Sequence, residues 1–212
     1  MKKLILLLIP LLIVSACANR NENVKPITTP EKEMKLEVKN TTDTDLSRFF
    51  MKNNSIAQFK GEGNEYASFS LKTLHLFNNF IATTEDNGGT IVERIYRVYD
   101  DHISKISENY EADKTKQPTL QELEAMPELE IYLASPLTNG TEFNGWKIKS
   151  TSDVVQTEFQ TFKNVIVIEK KEEQNTIVRK YFAKSFGEVK REFIMNTNGE
   201  ETIVTSSFEK IL

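Results

Sequence analysis

The clearest chemistry in the sequence belongs to Cys17, the only cysteine among the 212 residues. Its thiol is a nucleophile that can carry a covalent group. Cys17 follows a positive start (residues 1–3), an uncharged apolar run (residues 4–14) and the small residues Ser15 and Ala16. This order is typical of an export signal. The apolar run would form a helix of about 16 Å, which is far shorter than the roughly 30 Å hydrocarbon core, so it predicts a cleaved signal and not a permanent span.

The residues directly before the cysteine support a more specific interpretation. Val14-Ser15-Ala16-Cys17 resembles the bacterial lipoprotein motif, in which an aliphatic residue and two small residues precede the cysteine. The resemblance implies a diacylglycerol thioether on Cys17 and cleavage between Ala16 and Cys17. Membrane lipid would then hold the mature protein on the extracytoplasmic face of a bacterial cell membrane, nearly permanently, because each buried CH₂ contributes about 0.8 kcal/mol. The alternative is an ordinary secretory signal that contains a cysteine by chance.

Composition excludes several classes of function. Cleavage before Cys17 removes Lys2 and Lys3 and changes the formal net charge from −4 to −6. An acidic protein binds nucleic acid poorly, so no nucleic-acid partner is expected. Once Cys17 carries lipid no thiol remains, which leaves no disulfide, no cysteine metal site and no thiol nucleophile. The fold must then be stabilised by burial of apolar side chains, including thirteen Phe, six Tyr and one Trp.

The histidines and acidic residues give only weak signals for a catalytic or metal site. Asp100-Asp101-His102 has the residue types of a metal site, but Asp is favoured at such a turn for its own backbone hydrogen bonds. His75 lies in an apolar strand pattern, and no serine stands in the glycine pattern of a nucleophile elbow. Glu65 is either a solvated strand residue or, if it points inward, a partner of Arg94 or Arg97. The sequence therefore predicts a non-catalytic protein with no metal and no cofactor.

After the predicted signal peptide of residues 1–16, composition and patterning predict a tether and two β-rich segments. Residues 17–44, rich in Asn, Glu, Lys, Thr and Pro and without an aromatic residue, predict a lipidated N-terminus and a flexible tether. Residues 45–112 and 133–212 alternate polar with apolar residues, and Asn-Gly pairs divide them into short runs. This pattern predicts two antiparallel β-meanders.

Residues 113–132 predict one helical or irregular insert between the meanders. Thr119 and Glu122 have the spacing of a capping box, with Thr119 as the N-cap, and Pro127 ends or kinks the helix. The edges of a sheet need protection from other strands, and the insert is the segment expected to cover one.

The two β-rich halves match each other in spacing. The matched positions, 86 or 87 residues apart, are Phe59 with Trp146, residues 90–92 with 176–178, and Ile103 with Val189. This predicts a mainly β fold of two tandem antiparallel meander halves, which form either one curved sheet or two similar lobes. The alternative is chance similarity between two β-rich segments.

The glycine and aromatic positions resemble those of a family of uncharacterised Bacillus-type lipoproteins. In the second half the resemblance is carried by Leu133, Pro136-Leu137, Gly140, Gly145-Trp146, Phe162, Asn164-Val165-Ile166, Tyr181-Phe182-Ala183-Lys184, Gly187 and Val189-Lys190. In the first half it is carried by Gly61, Gly63-Asn64-Glu65-Tyr66-Ala67 and Asn87-Gly88-Gly89-Thr90. Ser185-Phe186 departs from the small glycine-containing pair of the family. The resemblance implies an extracytoplasmic β-rich domain and no activity.

Three functional hypotheses follow. The first is a structural or interaction lipoprotein that meets an envelope protein. The second is a carrier that holds a lipid or other apolar ligand on a concave sheet, with Phe59, Phe69, Trp146 and Phe182 as the ligand-facing aromatics. The third, a hydrolase, is disfavoured because the required residue constellation is missing. Aromatics that line an open groove would favour the carrier, and aromatics that pack into a dry core would argue against it.

Overall fold

The structure is a computed structural model that describes residues 45–77, 79–110, 117–173, 175–197 and 199–212. The predicted signal peptide, Ala16, Cys17 and the tether lie outside the described residues and stay predictions. Among the described residues, no helix combines the length and the apolar character needed to cross a membrane.

Twelve strands account for most of the described chain. Those of the first half are β1 (Ser55–Glu62), β2 (Phe69–Phe77), β3 (Phe80–Asp86), β4 (Ile91–Val98), β5 (His102–Tyr110) and β6 (Glu130–Ala134). Those of the second half are β7 (Glu142–Phe143), β8 (Trp146–Gln156), β9 (Thr161–Lys171), β10 (Thr176–Ala183), β11 (Gly187–Thr197) and β12 (Glu200–Ile211). Helix α1 (Leu120–Ala125) and two 3₁₀ turns (Leu46–Phe49 and Glu65–Ala67) complete the described elements.

All twelve strands belong to one antiparallel sheet. Its order is β6-β5-β4-β3-β2-β1-β12-β11-β10-β9-β8-β7, so each half is a meander of consecutive neighbours. The halves join where β1 pairs with β12, and Phe59 lies opposite Phe208 in this joint. The predicted mainly β fold is confirmed, and of the two predicted arrangements the single curved sheet is the one observed.

The two meanders share a bulge at matching positions. The β4–β5 ladder shifts between Ile95 and Tyr96, and the β10–β11 ladder shifts between Tyr181 and Phe182, 86 residues further along. The extra residue is Ile106 in the first half and Val189 in the second. Val189 therefore corresponds to Ile106, and its predicted match with Ile103 is wrong by three residues because the two hairpin connections differ in length.

The predicted helix is present within the insert. Thr119 caps α1 in a capping box, in which its side chain accepts from the Glu122 N–H and the Glu122 carboxylate accepts from the Thr119 N–H. Leu123 of this helix is fully buried against Ala82 and Ile95, on what is here called the outer face of the sheet. The helix of the insert therefore covers the outer face, and the last residues of the insert enter β6, which pairs with β5 and forms the edge of the sheet.

The opposite, inner face of the sheet closes around the start of the described chain. Leu46, Phe49 and Phe50 are buried against residues of both meanders, among them Tyr96 and Phe182. The β10–β11 connection holds this segment, since the Ser185 N–H donates to the Arg48 carbonyl at 2.6 Å. Gly187 has φ +74°, and a Cβ there would lie 2.9 Å from the Phe49 carbonyl oxygen, so a larger residue would push the segment away.

Candidate functional site

Charged side chains lie among the aromatic rings of the inner face, where a sheet core is normally apolar. The side chains of this group are 5% to 33% exposed, with Glu188 and Glu130 at the two limits. The inner-face charge network, as it is called below, consists of the cations Arg94, Lys105, Lys180 and Arg191 and the carboxylates Glu85, Glu108, Glu130 and Glu188. Such groups are stable in a core only when they are paired.

Arg191 ties the two meanders together across the inner face. Its Nε donates to Glu188 at 2.6 Å, and its Nη2 donates to Glu85 at 3.2 Å. Glu85 lies on β3 and Arg191 on β11, and three strands separate them in the sheet. The ion pair therefore spans the concavity and does not follow the backbone ladder.

The network continues from Glu85 through the first meander. Arg94 donates to Glu85 through Nη1 at 3.1 Å and to Glu108 through Nε at 2.8 Å. Lys105 then lies 2.6 Å from Glu108 and 3.1 Å from Glu130. Each carboxylate of this series contacts at least one cation, which offsets the cost of removing it from water.

Trp146 and Lys180 close the network from the second meander. The Trp146 indole N–H donates to Glu130 at 3.4 Å, which supplies the partner that a buried indole needs. Lys180 lies 3.4 Å from Glu188, and its ammonium is 5.2 Å and 5.4 Å from the ring centres of Tyr132 and Trp146. These distances are those of cation–π contacts.

The ladder also places like charges side by side. Lys180 lies directly opposite Arg191 in the β10–β11 pair. Opposed cations on one face of a sheet repel each other, so this pair needs the carboxylates around it. Lys180 and Arg191 therefore do not stabilise the β10–β11 pair by facing each other. Their presence is explained by the polar cavity that both of them line.

The pKa directions agree with this arrangement. Burial alone would raise the pKa of Glu188, but Arg191 and Lys180 outweigh it and hold that pKa below its usual range. Burial lowers the pKa of Lys180, and repulsion from Arg191 adds to the effect against the attraction of Glu188. Burial raises the pKa of Tyr96 and Tyr132, so both phenols stay protonated. At neutral pH the carboxylate of Glu188 is ionised and hydrogen-bonded.

A cavity of about 280 Å³ lies between the network and the aromatic residues. Its wall includes the rings of Phe50, Phe59, Phe69, Tyr96 and Tyr132. The charged residues on its wall are four cations and four carboxylates, namely Arg94, Lys105, Lys180, Arg191, Glu85, Glu108, Glu172 and Glu188. The cavity therefore offers rings, hydrogen-bond donors and acceptors without a net charge.

The structure places the four predicted ligand-facing aromatics in two groups. Phe59 and Phe69 stack at 4.4 Å beside the cavity, and Trp146 also lines it. Phe182 is fully buried and meets Tyr132 edge to face, away from the cavity wall. All four are at most 7% exposed, so ring packing and cavity lining occur together.

Sequence reasoning missed the network itself. One signal for it was the alternation Val92, Arg94, Tyr96, which puts a charge between two buried residues on one face. Glu65, which the sequence offered as a partner for Arg94 or Arg97, is exposed at the second 3₁₀ turn. Arg94 pairs with Glu85 and Glu108 instead.

Neither histidine lies in the cavity wall. His75 bonds the Met51 carbonyl at 2.9 Å. His102 bonds Asp101 at 2.7 Å and Glu128 at 3.1 Å, and stacks on Tyr99 at 4.4 Å. Burial lowers the pKa of His102, but these two carboxylates outweigh it and raise that pKa overall. Within the described ranges, no group of three or more His, Cys, Asp or Glu is placed to hold a metal ion.

Comparison with known proteins adds little. No protein-family model matches the sequence, and no curated protein matches it. Among solved structures, a protein from Bacteroides fragilis that is proposed to be exported and has a YmcC-like fold is similar at 11% identity and a TM-score of 0.45. The similarity covers 77% of this chain and 98% of that one. A likeness of this size bears on neither ligand nor mechanism.

Proposed function

We propose that this protein is a lipid-anchored, extracytoplasmic binding module that holds a small ligand in the cavity of its inner face. The observation that carries the proposal is the cavity of about 280 Å³ whose wall combines aromatic rings with a paired charge network. Ligand sites are typically concave and largely apolar, with a few placed polar groups. A wall built for packing alone would need no charges, because apolar side chains of similar volume are often at least as stable.

The state of the Glu188 carboxylate suits ligand binding better than proton transfer. A general acid or base needs a pKa near the working pH. Glu188 has its pKa held below the usual range by Arg191 and Lys180, and it therefore stays ionised.

The anchor and the address rest on the sequence. The positive start, the apolar run and Val14-Ser15-Ala16-Cys17 support export and lipid attachment at Cys17. Kinship with the Bacillus-type lipoproteins, on the residues named above, is part of the same proposal. An envelope role without a ligand is the alternative that the sequence also predicts.

Replacing Cys17 with serine is expected to leave an unprocessed precursor, because a hydroxyl does not take the place of the thiol that carries the lipid. The measurement is precursor and mature band mobility, together with metabolic labelling by a radioactive fatty acid, in a bacterial host. Ser15→Ala is the matched control, since it keeps a small residue at the same neck and should be processed and labelled normally. Normal cleavage and release of the Cys17→Ser protein would refute the lipid anchor.

Binding is tested by native mass spectrometry of the chain from Ala18 to Leu212, secreted under an ordinary export signal and purified without detergent. A bound ligand should give an extra mass that disappears on denaturation. Leu71→Phe should reduce the fraction of protein that carries this extra mass, because Leu71 lines the cavity. Leu74→Phe on the same strand should not, because Leu74 lies beside an outer-face groove of about 330 Å³.

The two variants make the test specific to the inner cavity. If the extra mass persists equally in Leu71→Phe and Leu74→Phe, the ligand lies elsewhere and the proposed site is wrong. If wild-type protein carries no extra mass and none of the added ligands described below binds, the envelope role without a ligand is the better account.

A further inference from the structure

We infer that the inner cavity takes a neutral polyhydroxylated ligand, a saccharide unit, and this inference rests on the proposed binding function. Three properties carry it, namely the balance of charge on the wall, the mixture of hydrogen-bonding groups and rings, and the volume.

The balance of positive and negative side chains on the cavity wall disfavours an ionic ligand. Four cations and four carboxylates line the cavity, so the wall as a whole has no preference for either sign. The central charges are already paired, as with Arg191 between Glu188 and Glu85. A charged ligand would have to replace one partner and leave the other buried and uncompensated, which is strongly unfavourable.

Hydroxyl groups fit such a wall without breaking its ion pairs. Each hydroxyl donates one hydrogen bond and accepts others, so it can bridge a cation and a carboxylate. Arg94 bonds Glu85 and Glu108 through Nη1 and Nε, and a guanidinium has further N–H donors. A carboxylate likewise accepts more bonds than one cation supplies.

The rings suit the other part of a sugar. A pyranose has faces made of C–H groups, and these pack against the electron-rich face of an aromatic ring. Tyr96, Tyr132 and Trp146 line the cavity beside the charges, so rings and hydrogen-bonding groups are within reach of one small molecule. An acyl chain in the same place would press hydrocarbon against Lys180 and Glu188 and desolvate them without new hydrogen bonds.

The volume sets the size of the ligand. About 280 Å³ is room for roughly nine waters at about 30 Å³ each. It is slightly below the roughly 300–1,000 Å³ typical of sites for drug-sized ligands. One monosaccharide unit, free or at the end of a chain, matches this space.

The test is a fluorescence titration of the Ala18–Leu212 chain, in which Trp146 is the only tryptophan. The probes are a panel of neutral hexoses and N-acetylhexosamines, a zwitterionic amino acid, a dicarboxylate and a medium-chain fatty acid. At least one neutral sugar should shift the Trp146 emission with a saturable curve. Its affinity should change by less than about twofold between about 50 and 500 mM NaCl, because no net charge is exchanged.

The variants locate the effect. Leu71→Phe should weaken the sugar's affinity by about tenfold or more because the added ring fills part of the cavity. Leu74→Phe should leave it within about twofold of wild type, since Leu74 lies on the outer face. The comparison among probes uses wild-type protein and stands even if Leu71→Phe fails to fold.

Different outcomes separate the two claims. Saturable binding of the amino acid, dicarboxylate or fatty acid, with no response to any neutral sugar, would overturn the saccharide and leave the proposed binding function intact. Silence of every probe, together with a clean unliganded mass in native mass spectrometry, would overturn both.

Discussion

Replacing Arg191 with methionine is expected to lower the free energy of unfolding by about 3 to 5 kcal/mol. The methionine fills similar space but leaves Glu188 and Glu85 without the guanidinium that bonds both. The Glu188 side chain is only 5% exposed, so water cannot replace the lost partner. The measurement is equilibrium unfolding in urea followed by Trp146 fluorescence, with the change in midpoint converted through a common slope.

The matched control is Lys60→Met. Lys60 pairs with Glu158 at 2.6 Å, but these two side chains are 48% and 52% exposed, against 18% for Arg191 and 5% for Glu188. Water can replace the lost partner at such an exposed site, so this variant should lose far less stability than Arg191→Met. Equal losses in the two variants would mean that the ion pair across the inner face has no special weight.

The pH dependence of stability in the wild-type protein and in Arg191→Met gives a second test of the same ion pair. Because Glu188 has a lowered pKa when folded, its contribution is present above the ordinary pKa of an unfolded glutamate and is lost as pH falls through the folded value. Wild-type stability should therefore decrease on acidification below about pH 4.5. Arg191→Met should show a weaker acid dependence, since the main cation that lowers this pKa is gone.

The elements of the fold could be predicted from sequence because their signals are local. Alternation and Asn-Gly turns predict hairpins such as that of β11 and β12, and the Thr119–Glu122 spacing predicts the start of α1. Such patterns extend over a few residues and do not depend on the rest of the chain. The choice between one sheet and two lobes is different, because it depends on the pairing of β1 with β12 at opposite ends of the described chain.

The charge network could not be predicted for the same reason. Glu85 and Arg191 are 106 residues apart, and no local period relates them. Their contact requires the joint between β1 and β12 and the curvature that brings β3 towards β11. The positions of Phe59 and Phe69 were easier to predict. Each follows the polar–apolar alternation of its own strand, and the two strands pair directly. A bulge also hides which face a residue takes, as with Val189, because one extra residue reverses the alternation.

Replacing Phe208 with alanine is expected to cost about 3 to 5 kcal/mol of unfolding free energy, towards the upper end of that range. Phe208 is fully buried, and its ring centre lies 5.2 to 6.0 Å from those of Phe59, Phe159, Phe162 and Phe186. Rigid rings from β1, the β8–β9 hairpin and the β10–β11 connection cannot collapse into the space that alanine leaves. Phe208 also lies opposite Phe59 where the two meanders join, so the loss weakens the one strand pair that unites them. Urea unfolding followed by Trp146 fluorescence gives the value.

Phe77→Ala is the matched control because it removes the same atoms from a ring that is 41% exposed. It should cost less than about 1 kcal/mol, since much of that ring is in water in both states.

The slope of the Phe208→Ala unfolding transition shows whether the two meanders unfold together. If the meanders unfold as one cooperative unit, the slope stays at the wild-type value and only the midpoint moves. A broadened or two-step transition would show that the β1–β12 joint, once weakened, lets the halves unfold separately. A loss of stability no larger than that of Phe77→Ala would contradict the prediction that the Phe208 ring is central to the core.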